Sequence, residues 1–248
     1  MARYGQPVIT SVDNQRVKDV LRLRKSRERR RVGLFVAEGP REVERARAAG
    51  LRIQATYFAP ELIEWGDGEE VSTRVLSKMA YRAEPEGVLA VVEIPTRRLP
   101  RDATLILVAV GIEKPGNLGA MARTADAAGA DALVVADANA DAWNPNAIRA
   151  STGAVFTLPI VEASRDGIAQ LPLQRVAAVV DAATTYTAAD LTRPTALIVG
   201  AEDDGLDDAW RTVADVEVSI PMHARTVDSL NAATSAAVLL FEAARQRG

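Results

Sequence analysis

The chain has no cysteine, which excludes disulfides, thiolate metal sites and cysteine nucleophiles. Its single histidine, His223, excludes a multi-histidine zinc cage, and a lone loop histidine is read as incidental rather than as an acid–base group. Any metal chemistry would have to rest on carboxylates, and none is expected. No stretch approaches the roughly 18 apolar residues that a membrane-spanning helix needs. The start, MARYGQPVITSVDNQRVK, lacks the apolar middle of a signal peptide, so a cytoplasmic address is expected. A phosphate loop of the G-x-x-x-x-G-K type is also missing, which weakens a reading as a Mg²⁺-dependent nucleotide enzyme built on the carboxylates at 202–204.

What is present is a chain of 248 residues, 48% hydrophobic, enough for one large domain or two modest ones. The net charge of −3 hides an uneven distribution. Residues 16–31, RVKDVLRLRKSRERRR, hold nine basic residues against Asp19 and Glu28, a surplus of seven that leaves the remainder at −10. A basic helix of this kind is either a solvated face or a phosphate-backbone contact, and charge alone does not separate the two.

From Thr104 onward, short apolar β-rich runs alternate with helix-like segments, the pattern of a parallel sheet covered on both faces. Strands are expected at 104–110, 131–137, 175–181, 195–202 and 216–222. The clearest helix should begin after Asn117 as N-cap and stop near Gly129, with Leu118, Met121, Ala122, Ala125 and Ala128 forming one apolar stripe. A closing helix is expected over NAATSAAVLLFEAARQR, capped by Ser229 or Asn231. Before residue 95 a basic helix, a strand at 34–39, a helix at 41–50 and a strand at 87–94 suggest a smaller α/β domain. The reading is therefore an N-terminal domain over 1–95, a linker over 96–103 and a second domain over 104–248.

Three clusters fall at the carboxyl ends of expected strands, the edge where open α/β sheets bind ligands. In EKPGNLGAMARTADAAGA, Gly116 and Gly119 allow close backbone approach and Arg123 is expected near a helix N-terminus, which favours anions; a helix cap plus a surface arginine is the duller alternative. In VGAEDDGL, Gly200 offers backbone to a flat ligand and Glu202 can orient a hydroxyl, while Asp203 and Asp204 read as ordinary turn residues. In SIPMHARTVDSLNAATSAA, strand, loop and helix follow within a few residues.

Together the clusters resemble the signature blocks of the SpoU family of the SPOUT class, the TrmH-like RNA 2'-O-ribose methyltransferases. N-x-G-x-x-x-R-T-A is matched by Asn117, Gly119, Arg123, Thr124 and Ala125; G-x-E-x-x-G-L by Gly200, Glu202, Gly205 and Leu206. I-P-M followed by S-L-N is matched by Ile220, Pro221, Met222, Ser229, Leu230 and Asn231, and an R-x-S-x-G segment by Arg149, Ser151 and Gly153. Two departures stand out: six residues, 223–228, separate Met222 from Ser229 where relatives usually have five, and Glu113 replaces a common aspartate. The stretches LFVAEGPREVERA and GVLAVVEIP resemble the family's ribosomal-protein-like substrate-binding module.

The resemblance implies a C-terminal SPOUT domain with a parallel sheet and a deep trefoil knot, plus a small N-terminal α/β RNA-binding domain. It implies S-adenosylmethionine (SAM) as cofactor, held by Gly200, Ile220, Met222 and Leu230, and a homodimer in which an arginine of one subunit reaches the other's cofactor. Arg123 is implied as the base or as a clamp on the target phosphate, oriented with the ribose by Asn117, Glu202, Ser229 and Asn231. Arg22, Arg24, Lys25, Arg29, Arg30 and Arg149 are expected RNA contacts. The implied substrate is ribosomal RNA; the alternatives are a tRNA ribose methyltransferase and a catalytically silent RNA-binding protein on the same scaffold.

Overall fold

The computed structural model describes residues 8–137, 140–202, 204–223, 226 and 229–248. Asp203 lies outside these residues, as does most of the longer 223–228 loop. The chain divides into two compact units, one formed by residues up to Thr96 together with Trp143–Arg149, the other by Arg97–Ala142 and Ala150–Gly248.

In the first unit α1 (Gln15–Arg22) and α2 (Ser26–Val32) precede β1 (Leu34–Glu38), α3 (Pro40–Ala48), β2 (Ile53–Phe58), β3 (Glu69–Glu70), α4 (Thr73–Met79) and β4 (Val88–Glu93). The strands form one sheet of order β1-β4-β2-β3, with β4 antiparallel to both neighbours. Its core joins Val17 and Val20 of α1 and Val75, Leu76 and Met79 of α4 to Val36, Leu89 and Val91 of the sheet.

The basic segment is two helices rather than one. Asn14 caps α1 through a bond accepted from the Arg16 N–H, and the chain turns at Leu23 before α2 begins. The turn leaves the last carbonyls of α1 without helical partners. Arg29, only 1% exposed, fills that role: its Nη1 donates to the Leu23 oxygen at 2.6 Å and the Arg24 oxygen at 3.0 Å. Its assignment as an RNA contact is therefore corrected, because the guanidinium is withdrawn from solvent and spent on backbone. Arg24 is similarly engaged, donating to the carbonyls of Lys78 and Ala80.

In the second unit the order is β5 (Leu105–Val110), α5 (Pro115–Ala127), β6 (Ala132–Ala136), α6 (Pro145–Ser151), β7 (Ile160–Glu162), α7 (Arg165–Ala169), β8 (Gln174–Ala178), β9 (Thr195–Val199), α8 (Asp208–Thr212), β10 (Val216–Val218) and α9 (Ala232–Arg247). Most of α6 groups with the first unit. The six strands form a wholly parallel sheet of order β10-β8-β9-β5-β6-β7. The central strands β5, β6 and β9 are buried at every position, which explains their uninterrupted apolar sequences.

Helices α5 and α9 pack against each other and on the sheet, burying Leu118, Met121 and Ala122 of one and Ala236, Leu239 and Leu240 of the other. Ile168 and Trp210, carried by α7 and α8, join a separate core with Ile106, Val134 and Ile198. Each such aliphatic side chain contributes about 1.5–3 kcal/mol by leaving water. Both ends of α9 are tied down. Asn231 caps the start, and at the far end Arg247 donates to the carbonyls of Leu191, Arg193 and Thr104.

Arg29→Ala should lower stability by about 1–3 kcal/mol in urea unfolding, because it strands buried carbonyls, whereas Arg30→Ala, on the exposed side of the same helix, should stay within about 0.5 kcal/mol. Equal effects would contradict the structural role of Arg29.

Candidate active site

All three loops of interest leave the carboxyl edge of the parallel sheet: 111–114 after β5, 200–207 after β9, and 219–231 after β10. The strand order places β9 beside β5, so the first two loops are neighbours although some 85 residues separate Asn117 from Glu202.

Helix α5 begins earlier than its sequence suggests. Lys114 is the N-cap and Pro115 opens the helix, so Asn117 lies inside the first turn and does not cap it. Pro115 supplies a fixed φ at a position where its missing N–H costs nothing. The Asn117 amide is thereby released for a longer-range task, and its Nδ2 donates to Glu202 Oε1 at 2.6 Å.

Glu202 is presented by a tight turn in which Ala201 and Gly205 form an antiparallel bridge, and Gly205 takes φ +65°. Gly200 is demanded by this turn itself: a Cβ there would overlap the Gly205 carbonyl and sit 2.8 Å from the Leu206 nitrogen. The constraint on Gly200 is thus chain against chain.

Asn231 completes the cluster. Its Oδ1 accepts from the N–H groups of Ala233 and Thr234 at the start of α9, so its amide nitrogen must face the other way. That nitrogen donates to Glu202 Oε1 and lies 3.4 Å from Asn117 Oδ1. One carboxylate therefore gathers residues from all three loops. Lys114 adds a third contact to the carboxylate, Nζ to Glu202 Oε2 at 2.6 Å. The Lys114 ammonium, aided by the two carboxamides, holds the Glu202 carboxyl below the usual carboxylate range against the opposing effect of burial. The group is consequently a fixed anion that orients donors, and not an acid poised to give up a proton.

Beside this cluster lies a cavity of about 300 Å³, a volume at the lower end for small-ligand sites. Gly200, Ile220, Met222, Ser229 and Leu230 line it, together with Asp181 and Arg211. Val179, Leu206 and Val218 give it apolar walls, and residues of the loops after β8, β9 and β10 line it. The combination suits a ligand with a flat heteroaromatic part and polar appendages. A second cavity of about 290 Å³ shares the 201–205 wall and is more acidic, with Asp137 accepting a bond from Trp210 Nε1 at 2.8 Å.

The structure thus brings together Asn117, Glu202 and Asn231, with Ser229 and the four expected cofactor residues along the adjoining cavity. It does not bring Arg123 to them. Arg123 is the ninth residue of α5, six positions beyond Asn117, which on a helix means roughly 9 Å along the axis and a different face. It is exposed, away from the helix N-terminus, and makes no hydrogen bond or ion pair among the described residues. Sequence reasoning missed Lys114, Asp181 and Arg211; a lone lysine before Pro-Gly carries no local signal, and the other two meet only through strand order.

Comparison with known proteins gives this site its context. The family model described as the SpoU rRNA Methylase family matches residues 104–241, and one described as an MRM3-like substrate binding domain matches residues 14–90. The chain is 35% identical to the 23S rRNA (uridine(2479)-2'-O)-methyltransferase of Streptomyces viridochromogenes, over 89% of this chain and 85% of that one. It is 32% identical to the 23S rRNA (guanosine(2553)-2'-O)-methyltransferase RlmP of Bacillus subtilis, over 94% and 97%. The crystal structure of the SpoU methyltransferase AviRb from Streptomyces viridochromogenes, in complex with the cofactor AdoMet (SAM), superposes with a TM-score of 0.83 at 32% identity, covering 94% of this chain and 98% of that one. With motifs, sheet and family model in agreement over more than half its length, the chain belongs to the SpoU rRNA methylase family.

Proposed function

We propose that this protein transfers a methyl group from SAM to a ribose 2'-hydroxyl of ribosomal RNA. The observation that carries the reading is the Asn117–Glu202–Asn231 cluster, which ties the three signature loops together at the carboxyl edge of the sheet, with Glu202 on the wall of the adjoining cavity. The two named relatives act on different bases, a uridine and a guanosine, so the chemistry they share is that of the sugar.

SAM, when bound, supplies an electrophilic methyl group on a sulfonium. The cavity fits it: backbone at Gly200, Ile220 and Leu230 is available to the adenosine, and Met222 offers apolar contact. A ribose hydroxyl is a weak nucleophile, so alignment matters most, and it can contribute about 7–11 kcal/mol. Glu202 performs that alignment indirectly by fixing the carboxamides of Asn117 and Asn231, while Ser229 faces the same cavity. Because the Lys114 ammonium and the two carboxamides hold the Glu202 carboxyl below the usual carboxylate range, the cluster is intact throughout the neutral range and is lost only as pH falls through that lowered value.

Arg123, exposed and outside the cluster, acts as a clamp on the target phosphate, whose oxygens match the fork of donors on a guanidinium. A homodimer delivers it to the site of the partner subunit. The exposed Phe241 on α9 is the kind of surface such pairing would cover. The second unit threads a deep trefoil knot in this reading, and residues 1–95 form the RNA-binding domain, joined by a linker over 96–103 to a methyltransferase domain over 104–248. A cytoplasmic address follows from the ribosomal substrate; no helix of the described residues is long and apolar enough to cross a membrane.

Within the RNA-binding domain the exposed cations sort themselves by partner. Arg22 pairs with Asp19 and Arg24 is held by backbone. The side chains of Lys25, Arg27 and Arg30 make no hydrogen bond or ion pair among the described residues, so these three form the phosphate-contacting patch around the α1–α2 turn. Outside residues 1–95, Arg149, whose Nη2 donates to Asn146 at 3.0 Å, keeps donors to spare.

Titration with SAM and transfer of radiolabelled methyl to rRNA and tRNA test the reading directly: binding with transfer to tRNA alone would favour the tRNA alternative, and binding with transfer to neither would leave the silent scaffold. Glu202→Gln should slow single-turnover transfer about 100-fold, the scale of a misaligned reacting group. Arg123→Ala should slow it by a similar factor while the SAM Kd moves less than twofold; full activity would remove Arg123 from the mechanism. Neutralising Lys25, Arg27 and Arg30 together should flatten the log–log dependence of RNA affinity on salt by about two to three units, and an unchanged slope would place the RNA elsewhere.

A further inference from the structure

The lining of the 300 Å³ cavity carries, besides Glu202, a second charged arrangement that the three signature motifs do not include. Asp181 stands in the turn after β8, at the carboxyl edge of the sheet, and lines the cavity together with Arg211 of α8. Arg211 is committed on two sides. Its Nε and Nη2 donate as a fork to the two oxygens of Glu217 on β10, both at 2.8 Å, while Nη1 reaches Asp181 at 3.3 Å. Such forks hold a guanidinium in one plane. Arg211 therefore fixes the Asp181 carboxylate through a single nitrogen, and among the described residues no other side chain takes up its remaining acceptor capacity.

The charge of the group decides what it can take. Asp181, Arg211 and Glu217 sum to one net negative charge, so the rim disfavours a carboxylate and favours hydrogen-bond donors. The Asp181 side chain is 64% exposed, which screens the attraction to an ammonium. A carboxylate's two oxygens also match the spacing of a vicinal diol. An acidic side chain at the end of a parallel strand is a known way to hold a ribose in another nucleotide-binding fold.

We infer that Asp181 accepts hydrogen bonds from the ribose hydroxyls of the bound nucleoside cofactor, with Arg211 as its positioning residue. The inference rests on the SAM reading above and adds a side-chain contact to the backbone ones.

Isothermal titration of the full-length protein separates the two levels. Wild type must bind SAM and S-adenosylhomocysteine; absence of both would sink the cofactor reading itself. With binding in hand, Asp181→Ala should weaken S-adenosylhomocysteine about tenfold, with the unliganded melting temperature unchanged, and Asp181→Asn should weaken it by less. Against the 2',3'-dideoxy analogue of S-adenosylhomocysteine, wild type and Asp181→Ala should bind equally, because the partner hydroxyls are gone. Wild-type affinity in Asp181→Ala, or a tenfold loss that persists with the dideoxy analogue, would overturn the assignment, the latter by placing the contact on the base or the amino-acid tail. Arg211→Met should reproduce part of the loss on S-adenosylhomocysteine and none on the dideoxy analogue.

Discussion

A single carboxylate organises the site. Glu202 receives hydrogen bonds from Asn117 on the first helix of the parallel sheet domain and from Asn231 at the cap of the last, and it is charge-paired with Lys114. Among the described residues no other hydrogen bond or ion pair joins all three loops. Its effect depends on the sheet beneath it, because β9 is inserted beside β5 and only that neighbour relation lets a turn after one strand meet a helix after the other. It depends equally on α9, whose position is set by Asn231 at one end and by Arg247 at the other. The chemistry proposed for the chain is thus a property of the fold's carboxyl edge and not of any one loop.

The same economy governs the charges. Of the basic residues in the 16–31 segment, some close helix ends and brace backbone, some pair with nearby acids, and a small remainder faces outward. A surplus of charge along a sequence is therefore not itself a binding surface. The surface is what is left after the fold has taken the donors it needs, and that remainder is the part available to RNA phosphates.

Much of this was legible in the amino-acid order. The central strands announced themselves because both their faces are buried and their sequences are uninterruptedly apolar. The cap of α9 was narrowed to Ser229 or Asn231 because capping is local, and Asn231 fills it. The errors came where a long-range partner outbid a local preference. Asn117 has the chemistry of an N-cap, yet Lys114 and Pro115 start the helix and Glu202 claims its amide. Arg29 looked like one more exposed cation, and only the turn between α1 and α2 revealed carbonyls that needed it. Strands β2 and β7 escaped notice, the first for its polar residues and the second for its length of three residues. Asp181 and Arg211 had no signal at all, since β8 and β10 become neighbours only in the folded sheet.

The central claim is that the loops gathered by Glu202 methylate a ribose hydroxyl in ribosomal RNA. Its most direct test is a map of alkali-resistant 2'-O-methyl positions in rRNA from cells carrying the wild-type gene, lacking it, or carrying only the Glu202→Gln allele. The account predicts one position that is methylated in the wild type and unmethylated in both other strains. Identical maps in all three strains would contradict it.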